Sequence, residues 1–95
     1  MSIEEFRQLT RQQIAQYPLA LQALWYDYQD DWQQSHKTID WESDRNSAWV
    51  HAYLHRKEGD LGNARYWYRR SGQPESKLSL TQERQEIASA LLTEI

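Results

Sequence analysis

His51 and His55 stand four residues apart in a helical pattern, so one helix face could offer two imidazole nitrogens to a divalent metal. His36 could supply a third ligand, with Glu58 or Asp60 nearby. The spacing alone is unspecific. Glu does not follow His51, so the His-Glu-x-x-His pattern of zinc proteases is absent, and the chain has no cysteine to add a thiolate. Histidines hydrogen-bonded and packed at a helix interface are the plainer expectation. No serine lies in a Gly-x-Ser-x-Gly elbow, three glycines form no phosphate loop, and Asp30-Asp31 reads as a turn and cap. No catalytic group is assigned, and no cofactor is expected.

A second constellation lies further along. Leu61, Ala64, Tyr68 and Ser71 form one helical stripe, while Asn63, Tyr66, Trp67 and Arg70 form another at i, i+3, i+4, i+7. Only one stripe can lie fully inside a helix hairpin. The other packs on the next helix or presents Tyr, Trp and Arg, residue types enriched at binding hot spots. Arg65, Arg69 and Arg70 beside these aromatics could face nucleic acid, but a formal net charge of −3 counts against it, so no nucleic-acid partner is expected. That average hides a segregation. Asp27 to Asp44 carries six acids against one lysine, and Arg45 to Arg70 six bases against two acids. The opposite charges could pair across a packing seam or draw an acidic partner to the basic half.

These groups must be positioned by helices. The 95 residues include a single valine and no Asn-Gly or Asp-Gly hairpin signal, whereas Leu, Ala, Gln, Glu and Arg abound. Mean hydropathy is low at −0.99, yet five Trp and six Tyr supply apolar area for a core. The pattern predicts one all-α domain over residues 1–95, with five or six short helices. A capping box at Ser2 and Glu5 opens the first, to about Gln16. A second runs from Pro18 to about Asp40, with a break near Asp30-Asp31 left open. Asp44 caps a third that stops at Gly59, Asp60 caps a fourth from Leu61 to Ser71, and Ser79 opens the last, to about Glu94. Trp25, Trp32 and Tyr68 are assigned to the core. No apolar run approaches the ~20 residues that span a bilayer, and the first residues lack a signal-peptide pattern. No membrane partner and a cytoplasmic location are therefore expected.

Ala23 and Ala52, Asp31 and Asp60, Trp32 and Leu61, Ser35 and Ala64, and Ile39 and Tyr68 are matched pairs at one spacing, which suggests an internal repeat of period 29 over about 17–45 and 46–74. The second copy, with Gly59-Asp60 at its turn and Ala52, Ala64, Tyr68 and Ser71 behind it, resembles a tetratricopeptide repeat over about 46–74. Asn63-Ala64 with Trp67-Tyr68-Arg69-Arg70 is also similar to the Sel-type variant. The chain departs from that pattern at His51 and His55, where apolar residues would stand, and its period is shorter. The longer string from His51 to Gly72, with Trp25, Asp31 and His36, resembles a family of microbial proteins with no assigned activity. The repeat resemblance implies two stacked hairpins with a capping helix at each end. It also implies a groove lined by Asn46, Trp49, Tyr53, Arg56 and Lys57 that would suit an acidic or C-terminal peptide. The leading expectation is thus a protein-interaction module. The alternatives are a metal-binding or catalytic site at His36, His51 and His55, and a structural subunit that homodimerises through Trp67 and the last helix.

Overall fold

The computed structural model describes all 95 residues and is all-helical. Its elements are α1 (Ile3–Arg7), α2 (Arg11–Ile14), α3 (Leu19–Tyr28), α4 (Trp32–Ile39), α5 (Arg45–Glu58), α6 (Leu61–Ser71) and α7 (Leu80–Thr93). The helix expected over Ser2 to Gln16 is two helices. Thr10 and Gln13 form a second capping box that starts α2, and Gln8 and Leu9 close α1. Helices of four or five residues are unstable alone. Here Phe6 and Ile14 anchor them, each fully buried and each contributing about 1.5–3 kcal/mol of apolar burial.

The segment from Pro18 to Asp40 does break at Asp30-Asp31. Asp30 adopts a left-handed backbone with φ 61°, a conformation that Asp tolerates better than most side chains. The amide of Asp31 then bonds back to the Tyr26 carbonyl at 2.9 Å, and its side chain caps Gln34 of α4. The α5–α6 turn is built alike: Gly59 at φ 90°, the Asp60 amide on the His55 carbonyl at 2.9 Å, and the Asp60 side chain on Asn63. Both turns fold their helices into hairpins, α3 on α4 and α5 on α6.

Helix α7 lies against α5, α3 and α1, so the terminal helices touch each other as well as the hairpins. All seven helices feed one core, in which Ala23, Ala48 and Ala52 permit close helix approach. A radius of gyration of 12.1 Å matches the ~12 Å expected of one domain this long. Trp25 and Tyr68 are buried in the core, while Trp32 is half-buried at its edge, where its indole serves the α4–α5 seam; Leu61, on the same stripe as Tyr68, is exposed at the start of α6. No helix is long and apolar enough to cross a membrane.

Candidate metal centre

Helix periodicity places Trp32, His36 and Asp40 along one face of α4, and His51, His55 and Glu58 along one face of α5. Two bonds set α4 in place. Ser35 Oγ donates to the Ala23 carbonyl at 2.5 Å, and Trp32 Nε1 donates to the Leu54 carbonyl at 2.9 Å. The second bond brings His36 over the face of α5.

All three histidines of the chain meet there. Each offers a ring nitrogen, and these nitrogens lie within 4.8 Å of one another. His36 Nε2 and His51 Nε2 are 3.0 Å apart. Two aromatic walls hold the rings. Trp32 stacks on His36 at 5.0 Å, and Trp67 of α6 stacks on His51 at 4.0 Å, while His51 and His55 are themselves nearly parallel. His51 and His55 are buried and His36 is half-buried. Three carboxylates stand near the rim, Asp60 among them, with its oxygen within 4.8 Å of ligand atoms of His55 and Glu58. Glu58 Oε1 is 2.6 Å from His55 Nδ1, and Asp40 Oδ1 is 3.8 Å from His36 Nε2. His51 Nδ1 is buried without a partner.

Burial, reinforced by His55 and His36, pushes the His51 imidazole down from its ordinary range to about 3. The fold therefore keeps it neutral where the unfolded chain would take up a proton. Stability is expected to be complete above about pH 6.5 and to fall as pH drops toward 3, by up to ~1.4 kcal/mol per unit for this residue. Urea midpoints of metal-free protein should show a shallower acid slope in His51→Gln than in wild type. Equal slopes would mean that His51 is protonated in the fold.

The α5 residues expected to line a peptide groove are largely turned into the fold. Tyr53 is 1% and Trp49 7% exposed, Trp49 bordering a cleft with the 73–78 segment and α7. Lys57 Nζ lies 2.9 Å from Asp27 and Arg56 Nη1 2.8 Å from Glu83, so both cations are engaged within the fold. Asn46 Nδ2 bonds Glu94 at the end of α7. Asp27 and Glu83, the acceptors of these cations, are both fully buried, so acids and bases do pair across the helix seams. Tyr53 Oη donates to Asp27 at 2.6 Å, Arg84 adds a bond at 3.2 Å, and Tyr68 Oη donates to Glu83. Burial first, then these carboxylates, push both phenols up, so they remain donors. The surviving hydrogen-bonded charge network is structural.

The second stripe of α6 divides. Asn63, Tyr66 and Arg70 are exposed, Asn63 bonded to the Asp60 carboxylate, whereas Trp67 is half-buried against His51, with the Arg70 guanidinium over the Tyr66 and Trp67 rings. The apolar face of α7 is used inside the chain through Ile87, Ala88, Leu91 and Leu92. The expected dimer surface of Trp67 and the last helix is therefore largely occupied by internal packing. Comparison with family models, curated proteins and solved structures found no match.

Proposed function

We propose that this chain is a small metal-binding domain that takes one divalent transition-metal ion, of the zinc class, through His36, His51 and His55. The observation that carries this reading is the convergence of all three histidines from two helices. Two imidazole nitrogens bound at ~2.0–2.1 Å to a tetrahedral ion stand about 3.3 Å apart. The 3.0 Å between His36 and His51 is close to that separation, and the three nitrogens, within 4.8 Å of one another, need to close by an ångström or so at most. Neutral imidazoles are borderline-soft donors, which suits zinc, nickel, copper or iron better than magnesium or calcium. Trp32 and Trp67 limit ring rotation, so less order has to be imposed on binding.

Zinc titration of chelator-stripped protein by calorimetry is expected to show one ion per chain, with binding lost in His55→Ala. Absence of stoichiometric zinc uptake, or uptake unchanged by His55→Ala, would end the proposal.

A further inference from the structure

We propose that Asp40 is the fourth ligand of this ion, closing a three-histidine, one-aspartate site, and that Glu58 stays outside the coordination sphere and orients His55. This rests on the metal reading above. Asp60 is engaged by the amide and side chain of Asn63, and separations distinguish Asp40 from Glu58. An imidazole nitrogen and a carboxylate oxygen bound to one tetrahedral zinc stand about 3.4 Å apart. Asp40 Oδ1 lies 3.8 Å from His36 Nε2, the nitrogen that faces His51, but outside the group of three histidine nitrogens, so its carboxylate must swing inward to reach the ion. Glu58 Oε1 lies 2.6 Å from His55 Nδ1, too close for two ligands of one ion and suited to a charge-assisted hydrogen bond.

The atoms involved agree with this division. A bond from His55 Nδ1–H to Glu58 leaves the Nε2 lone pair free for the metal, as in carboxylate–histidine–metal triads. Asp40 stands one helical turn beyond His36 at the C-cap of α4. Its side chain is 46% exposed and its near polar neighbour is His36, so it can turn inward at the cost of one side chain's rotamer freedom. Three neutral imidazoles leave the ion's double positive charge uncompensated, and one carboxylate halves it.

The surroundings favour a closed site. None of the five surface clefts is lined by His36, His51 or His55, so the fold offers no adjoining cavity for a substrate. Four protein ligands describe a resident structural ion, whereas three with an open position describe a hydrolytic one. Asp40 therefore decides which kind of site this is.

Cobalt in place of zinc gives a visible spectrum that azide alters only where a coordination position is open. The wild-type cobalt protein is expected to show a four-coordinate spectrum indifferent to millimolar azide. In Asp40→Ala, with helicity retained by circular dichroism, azide should shift the spectrum and zinc affinity should fall at least tenfold. Glu58→Gln should lower affinity ~10–100-fold while the spectrum stays indifferent to azide. An azide shift in wild type equal to that in Asp40→Ala would overturn the assignment of Asp40 and leave the three-histidine site standing. Failure of wild type to take up cobalt or zinc would overturn both.

Discussion

Replacing Asp27 by alanine is expected to remove a large share of the stability of this domain, about 3–5 kcal/mol by urea denaturation at neutral pH. Asp27 is fully buried and receives Tyr53 Oη, Lys57 Nζ and Arg84 Nη1 from two other helices. Its loss leaves the buried Tyr53 hydroxyl without an acceptor and two partly buried cations without their counter-charge, Arg84 keeping only its bond to the backbone carbonyl of residue 27. Domains of this length hold only about 5–15 kcal/mol in total. Asp27→Asn should cost less, since the amide oxygen still accepts from Tyr53 but the charge facing Lys57 and Arg84 is gone. The double replacement Asp27→Leu with Lys57→Met should cost less than the sum of its parts, because it removes a charge together with one of its partners. A loss below about 1 kcal/mol for Asp27→Ala would show that water reaches these groups and that the network is not what ties α3 to α5 and α7.

Zinc is expected to raise the midpoint of thermal unfolding by at least ~15 °C when present at a thousandfold excess over its dissociation constant. An ion that binds only the folded chain then contributes about 4 kcal/mol, and each kcal/mol moves the midpoint by roughly 4–8 °C in a domain this small. The ligands come from α4 and α5, so the ion would join the two hairpins at the seam that Trp32 already bridges. Chelator should reverse the gain, and His36→Gln should abolish it while leaving the metal-free midpoint nearly unchanged, because His36 is half-buried at the rim. An equal zinc effect in wild type and His36→Gln would place the ion elsewhere on the surface.

Much of the local structure was legible in the residues. Ser2, Asp44, Asp60 and Ser79 cap the helices they were expected to cap, and Gly59 and Gly72 end theirs in the left-handed conformation that glycine adopts most readily. The break after α1 carried a signal too, in the Thr10 and Gln13 box, but the apolar spacing from Ile3 to Tyr17 runs across it and hides it. For the site, the i, i+4 spacing put His51 and His55 on one face. Nothing in the spacing could bring His36 to them, because its place depends on the Trp32 bond to Leu54 and on the sharp turn at Asp30.

The aromatic and basic residues show where local pattern stops being informative. Tyr53, Arg56 and Lys57 share the helical face of a binding surface, yet their exposure depends on what lies over them, and α7 begins some twenty residues later in the chain. Glu83 and Arg84 are ordinary polar residues in a helical sequence until α7 docks, which buries Glu83 against Arg56 of α5 and sets Arg84 on Asp27 of α3.

The sequence by itself determined the helical class, most helix ends and which residue types share a face, since capping and periodicity are effects of neighbours within a few positions. Tertiary structure alone decided that three histidines meet, that two acids are buried and that the α5 face is covered. Those outcomes depend on the relative placement of helices far apart in the chain, where burial and pairing energies exceed any local preference.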